Sequence, residues 1–199
     1  DVMNTISSKK PIAMSWIYTQ EKNQILDAVY HLSHSKNVDD FRKSIELIHA
    51  PGLNIMYGDA KNNISWTASG KLYKLDKSIN PNFILNGSNG IDDQKEFLPF
   101  DKNPSALNPS WNYLYSANNQ TEAIDGYLYP GYYLPKDRAE RIDNLLLPKN
   151  NWTKTDVENM IIDNTSSRSS FVVSTILPNI ELKNKSKNYE TAYAILSKW

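Results

Sequence analysis

Pro51-Gly52-Leu53-Asn54-Ile55-Met56-Tyr57-Gly58-Asp59, continuing through Asn63-Ile64-Ser65-Trp66-Thr67-Ala68, is the stretch on which the fold turns. Leu53 to Tyr57 reads as one strand. Ile64 to Ala68 reads as another and alternates more cleanly, apolar with polar, at the period of two that a strand imposes. Asp59-Ala60-Lys61-Asn62-Asn63 lies between them. Asn tolerates positive φ, so this five-residue segment predicts a hairpin turn. Pro51-Gly52 ends whatever helix precedes.

Outward toward the N-terminus, Val38, Phe41, Ile45 and Ile48 share one face of a helix that starts near Asn37. Ile25, Leu26, Val29 and Leu32 mark a helix before it. Ile12, Met14, Trp16 and Tyr18 alternate with Ala13, Ser15, Ile17 and Thr19, which predicts a strand. Outward toward the C-terminus, residues 71–110 hold Pro81, Gly87, Gly90, Pro99, Pro104 and Pro109 and lack periodicity. So long an irregular stretch is more often functional or wrapping than idle. Trp111 to Ala117 then reads as a strand running into Asn118-Asn119, followed by a loop with Tyr127, Tyr129, Tyr132 and Tyr133.

Asp137 and Glu140 form a D-x-x-E capping box that starts a helix, with Arg138 in its first turn. Thr155 and Glu158 suggest a second box, with Val157, Met160 and Ile161 on the buried stripe. After a Ser-rich joint from Ser166 to Ser170, Phe171, Val172, Ile176 and Leu177 suggest a helix. A last helix begins near Lys187 and runs through Tyr189, Ala192, Ile195 and Leu196 to Trp199. The fold class is α+β, an antiparallel sheet with helices. Its sheet-forming part is about 10–118, its loop 119–136 and its helical part 137–199. The chain opens on Asp1 and stops in helical spacing without a stop signal, so it reads as an internal piece of a longer protein.

Composition narrows the function. The 22 basic and 22 acidic side chains of the 199 residues cancel, which argues against a nucleic-acid binder or a polybasic membrane anchor. Cys is absent, so disulfides, thiolate metal sites and a Cys nucleophile within the chain are excluded. No apolar run approaches the roughly 20 residues of a membrane span.

Few residue groups suggest chemistry. His31 and His34 stand at i, i+3, without a carboxylate at ligand spacing on their helix, and read as ordinary surface histidines. Asp39-Asp40 and Asp92-Asp93 are adjacent carboxylates whose side chains point apart, as solvated charge at element ends does. Six N-x-S/T sequons, at Asn63, Asn86, Asn119, Asn151, Asn164 and Asn184, are a weak glycosylation signal in an Asn-rich chain. Trp111 with the Tyr127–Tyr133 cluster suits either a carbohydrate platform or a loop held down by its own aromatics. Asn118-Asn119 follows the 111–117 segment directly. It is either turn chemistry or a fixed amide donor for a developing oxyanion.

The run from Pro51 to Leu147 resembles the penicillin acylase family of N-terminal-nucleophile (Ntn) amidohydrolases. The hairpin quoted above resembles the family's PGLN-x-x-Y-x-D-x-x-x-N-I-x-(aromatic) segment. Phe97-Leu98-Pro99-Phe100, Asn108-Pro109 and Tyr113-Leu114-Tyr115-Ser116-Ala117-Asn118-Asn119 resemble its LPF, NP and GYI-x-x-x-NN blocks. Asp137-Arg138-Ala139-Glu140-Arg141-Ile142 resembles its DR-x-x-x-I helix start. Trp111-Asn112-Tyr113 stands where the family has Gly-Tyr, so the Gly is lost.

The resemblance implies a fragment of a penicillin acylase β-chain, part of an αββα sandwich, from an enzyme that cleaves N-acyl amides through an acyl-enzyme. It implies that Asn118 is an oxyanion donor and that Arg138 holds it, with Asn119 structural. The nucleophile, a Ser, Thr or Cys at a processed N-terminus, would lie upstream of Asp1, which lacks a hydroxyl or thiol, and the isolated chain would be inactive. The substrates implied are small N-acyl amides of β-lactam or acyl-homoserine lactone type. The partners implied are the rest of the precursor, its α-chain and N-terminal β-chain, and the location periplasmic or secreted. No cofactor is expected in this fragment. Calcium is compatible with the intact enzyme, but its ligands mostly precede this chain, and Asp125 is the only plausible acid in the 119–137 loop. The reading set against this one is a non-enzymatic carbohydrate- or ligand-binding module using Trp111 and the Tyr cluster.

Overall fold

The computed structural model describes residues 12–76, 78–80, 82–90, 93, 96–121, 129, 131–180 and 186–198. They fall into two units, one within Asp1–Leu114 and Thr121–Gly131, the other formed by Tyr115–Gln120 with Tyr132–Trp199. The described elements are helices with a three-stranded antiparallel sheet, an α+β fold.

In the first unit α1 (Ile17–Gln20), α2 (Ile25–His34) and α3 (Val38–Glu46) precede β1 (Leu53–Gly58), β2 (Ile64–Ser69) and β3 (Ser105–Leu107). Asn37 caps α3 as its sequence position predicts, its Oδ1 accepting from the Asp40 N–H at 2.9 Å. The stripe on α3 is the core: Phe41, Ile45 and Ile48 bury with Ala28 of α2, flanked by Ile55 and Tyr57 of β1 and by Phe100. The Phe41 and Tyr57 rings lie 5.0 Å apart. Burying such side chains contributes about 1.5–3 kcal/mol each.

The sheet order is β1-β2-β3. Leu53 pairs with Ser69 and Gly58 with Ile64, so the two strands match end to end. Asn62 takes φ 63° in the turn, the left-handed conformation predicted for an Asn there. Gly70 (φ 109°) is required at the other end, where a Cβ would stand 3.1 Å from Gly52 Cα. The turn is organised by Asp59. Its carboxylate accepts from the Lys61 N–H (2.8 Å), the Asn63 N–H (3.0 Å), Asn63 Nδ2 (2.9 Å) and the Tyr57 hydroxyl (3.0 Å). Asn108 extends this network, donating to Asn63 Oδ1 and accepting from the Ile64 N–H, each at 2.9 Å.

The stretch 71–110 is less idle than its composition suggests. Tyr73 pairs with Phe97 in an antiparallel bridge, with their rings stacked at 4.6 Å. β3, absent from the sequence reading, pairs Ser105 with Thr67 and Leu107 with Ser65. Asn103, buried, donates to the Ala68 and Gly70 carbonyls at 2.9 and 2.8 Å and holds β3 in register.

Two expected strands are not strands. Ile12–Tyr18 finds no strand partner among the described residues and forms a coil and α1, with Met14 and Trp16 exposed. The end of α1 is tied instead by Gln20 to the Tyr73 hydroxyl (2.5 Å) and by Glu21 to Lys71. Trp111–Ala117 is broken at Asn112, whose φ of 61° turns the chain and whose N–H closes on the Pro109 carbonyl.

The second unit holds α4 (Asp137–Leu146) and α5 (Lys154–Ile161), expected from capping pairs, and α6 (Ser169–Ile176) and α7 (Lys187–Leu196), expected from apolar spacing; the stripe expected to be buried on α5 is not, Val157 and Ile161 being exposed. The predicted capping residues differ. α4 has Lys136 at its N-cap, whose side chain has no acceptor to offer, and Glu140 bonds Arg168 instead of closing a box. The box on α5 is Thr153/Asp156, two residues before the Thr155/Glu158 expected. T-K-T-D-V-E offers both registers, and Lys149 paired to Asp156 favours the earlier one.

Accepted hydrogen bonds, first those of Asn63, hold Asp59 down to about 2 from the ordinary aspartate value of 3.8. A carboxylate depressed in the folded state stabilises it fully above the ordinary value and ceases to as pH falls through the depressed one. The Lys61 and Asn63 amide resonances are therefore expected to hold steady from neutral pH to about pH 4 and to shift together as Asp59 protonates near pH 2. An Asp59→Asn variant should lose that step.

Candidate functional site

Asn118 is set by its backbone first. Its φ is 59°, a left-handed conformation that Asn adopts more readily than other residues bearing a Cβ. Its carbonyl accepts the Leu134 N–H at 2.8 Å, and Asn119 pairs with Leu134 in an isolated parallel bridge. Ala117, just before it, is buried. The chain therefore enters and leaves Asn118 on fixed points, while its side chain stays exposed.

The side chain is then set by Arg138, in the first turn of α4. One guanidinium nitrogen, Nη2, donates to the Ala117 carbonyl and to Asn118 Oδ1, both at 2.6 Å. Arginine has donors only, so the atom facing it must be the amide oxygen. Asn118 Nδ2 is thereby turned away with both its hydrogens, and it has no partner among the described residues. The Arg138 charge also polarises the amide through Oδ1, which strengthens Nδ2–H as a donor.

A cation in the first turn opposes the helix dipole. Asp137 and Glu140 in the same turn offset it. α4 is also anchored along its length. Glu140 holds Arg168 through both carboxylate oxygens, with the Nε contact at 2.7 Å. Arg141 makes a two-point pair with Asp163 at 3.0 and 2.6 Å. The Tyr115 hydroxyl donates to Asp143 at 2.9 Å, and Ser167 Oγ to the Asp137 carbonyl at 2.9 Å. The Arg168 bond keeps Glu140 below the usual carboxylate range, and Arg141 does the same for Asp163. Both stay ionised, so the anchors persist at neutral pH. Arg138 makes no ion pair among the described residues. The arrangement is a neutral amide donor, rigidly aimed, beside a guanidinium that makes no ion pair among the described residues.

The family model described as penicillin amidase matches residues 2–199. The chain belongs to the penicillin amidase family. Among solved structures it is similar to the thermostable penicillin G acylase from Alcaligenes faecalis, with a TM-score of 0.66 and 17% sequence identity over 92% of this chain. That likeness is one of fold. The match covers 35% of the acylase chain, so this family member spans about a third of its length.

The other candidates resolve differently. His34 Nδ1 lies 2.8 Å from the Tyr30 carbonyl and its ring lies against Tyr30, so the His31/His34 pair is engaged locally. Asp40 serves the α3 N-terminus with Asn37, while Asp39 is exposed. Asp92, Asp125, Tyr127 and Asn184 lie outside the described residues. Among the described residues no group of three His, Asp or Glu side chains that could hold a metal ion is found. Asn63 is committed to Asp59 in the hairpin, and Asn86, Asn151 and Asn164 are exposed. Tyr129 is buried and donates to the Lys102 carbonyl at 2.8 Å, so its ring is not a platform face. Trp111 is exposed. The sequence did not announce Leu134, Tyr115, Asp143, Asp163 or Arg168. Their contacts join residues 16 to 28 positions apart and leave no local pattern.

Arg138→Ala should free the Asn118 side chain. The measurement is the Asn118 side-chain amide resonance. It is expected to broaden or move toward the value of an exposed Asn while helical circular dichroism is kept. Arg138→Lys, a point charge without the fork, should restore it only in part.

Proposed function

We propose that this chain belongs to an amidohydrolase that cleaves N-acyl amides through an acyl-enzyme, with Asn118 Nδ2 as an oxyanion donor and Arg138 as its positioning residue. The observation that carries this is the Arg138 Nη2 bond to Asn118 Oδ1 at 2.6 Å, which leaves the amide hydrogens presented outward. Family membership and the acylase fold support it.

The chemistry follows from the donor. A nucleophile attacking an amide carbonyl moves the π electrons onto oxygen and forms a tetrahedral oxyanion. A fixed N–H at about 2.7–3.1 Å from that oxygen stabilises the transition state more than the neutral carbonyl of the ground state. Collapse expels the amine and leaves the acyl-enzyme, which water hydrolyses through a second oxyanion at the same donor. Asn118 therefore serves both steps. A rigid donor is needed because its orientation cost is met on folding, before substrate arrives. We assign the nucleophile to a Ser, Thr or Cys at the processed N-terminus of a longer product, where its own α-amino group acts as base. The remaining parts of that product, its α-chain and N-terminal β-chain, are the partners of this reading, and its place is the periplasm or cell exterior. The substrates are small N-acyl amides of β-lactam or acyl-homoserine lactone type.

The test is to express the complete gene product, sequence its N-termini and compare kinetics with an Asn118→Ala variant. A new N-terminal Ser, Thr or Cys is expected. Asn118→Ala should lower kcat by about 10²–10³ with KM little changed. The 199-residue chain alone should release no acid from phenylacetyl or long-chain acyl amides. A single uncut, inactive polypeptide, or an Asn118→Ala enzyme as fast as its parent, would overturn the reading.

A further inference from the structure

Two of the seven glycines, Gly87 and Gly90, follow an asparagine within one loop, Leu85-Asn86-Gly87-Ser88-Asn89-Gly90, and no other Asn-Gly pair occurs in the chain. Such a pair carries chemistry of its own. The glycine nitrogen can close a five-membered ring on the asparagine Cγ, and no Cβ shields it. Asn86 is exposed. Its Oδ1 accepts the Ser88 N–H at 3.1 Å. An Asx turn of this kind folds the carboxamide back over the peptide that follows, here the one whose nitrogen belongs to Gly87. The bond also draws electron density onto Oδ1 and leaves Cγ more electrophilic. Gly87 stands in the open: chain neighbours apart, no heavy atom of the described residues lies within 4 Å of where its Cβ would be, and its φ is outside the left-handed range. The second pair differs. Gly90 has φ 71°, and the position of its Cβ lies 3.3 Å from Asp93 Oδ2. A carboxylate there opposes negative charge developing on the Gly90 nitrogen.

We infer that Asn86-Gly87 is a site of self-modification, where the asparagine passes through a succinimide to an aspartyl or isoaspartyl residue. The Gly87 nitrogen gives its proton to hydroxide or water and attacks Asn86 Cγ. The N–Cγ bond forms, the Cγ–Nδ2 bond breaks, and Nδ2 leaves as ammonia with the proton returned to it. Water then adds to either imide carbonyl and opens the ring. One water is consumed, one ammonia is released, and nothing is oxidised or reduced. Opening at the Asn86 backbone carbonyl leaves the chain running through Cγ, one carbon longer. Either product carries a carboxylate in place of a neutral amide, so a chain whose 22 basic and 22 acidic side chains cancel gains one negative charge. The loop is tied at its base, where the Lys74 N–H donates to the Glu96 carbonyl at 2.9 Å and the Leu98 N–H to the Leu72 carbonyl at 2.8 Å, which keeps the change within the loop. Nothing at Asn118 takes part.

The experiment is a time course on the complete gene product, held folded at mildly alkaline pH and then digested with trypsin. The tryptic peptide spanning 78–95 holds four asparagines, Asn80, Asn82, Asn86 and Asn89. Fragment-ion mass spectrometry is expected to place a gain of one mass unit on residue 86 several-fold faster than on residue 89, with Asn80 and Asn82 unmoved. The same peptide made synthetically is the reference without the fold, and there the two Asn-Gly pairs should convert at like rates. Gly87→Ala, which the open space and the backbone angle accommodate, should hold residue 86 at its parental mass. No gain at residue 86, a gain at residue 89 as fast as at 86 in the folded protein, or a Gly87→Ala variant that converts like its parent would overturn the inference.

Discussion

The guanidinium of Arg138 has to satisfy two oxygens at once, the Ala117 carbonyl and Asn118 Oδ1, and the rest of the site is arranged so that it can. A donor-only group meeting an amide leaves that amide one orientation. That orientation holds only while α4 stays still relative to residues 115–120. The Glu140–Arg168 and Arg141–Asp163 pairs and the Tyr115–Asp143 bond supply the stillness. Each is partly exposed, and exposed pairs contribute little to stability, about 0–1 kcal/mol. Their use here is geometric: they fix the helix that carries the arginine.

The hairpin unit follows a similar logic with a different result. Asp59, Asn63, Tyr57 and Asn108 form one closed set of hydrogen bonds in which the carboxylate accepts four times. These residues lie in the blocks that carry the family resemblance. Their chemistry is nevertheless spent internally, on a turn and a strand register. A motif residue whose donors and acceptors are all satisfied by its own fold has nothing left for a substrate. Asn118 differs from Asn63 and Asn108 in that respect, because one end of its amide is pinned and the other is not.

Much of the fold was legible. α2, α3, β1, β2, α6 and α7 follow from apolar spacing, α4 and α5 from capping pairs, and the Asn62 turn and Asn37 cap from residue chemistry. The failures share a cause. A strand is stabilised by a neighbour, and Ile12–Tyr18 has none among the described residues, while the three-residue β3 is too short to show a period and exists because Asn103 delivers it to β2. The capping register on α5 was decided by Lys149, outside the motif.

The sequence by itself determined the local elements, the cancellation of charge and the lack of thiol chemistry, while Asn118 and Arg138 were singled out by the family resemblance. Side-chain type and short-range spacing carry that information, because helices and strands repeat over a few residues. The tertiary structure alone decided that Arg138 Nη2 meets Asn118 Oδ1, that Asn118 is left-handed, and that Leu134 is hydrogen-bonded beside it. Those contacts close over 16 to 20 residues. No repeat or motif encodes where the chain returns. The hydrogen bonds made there do.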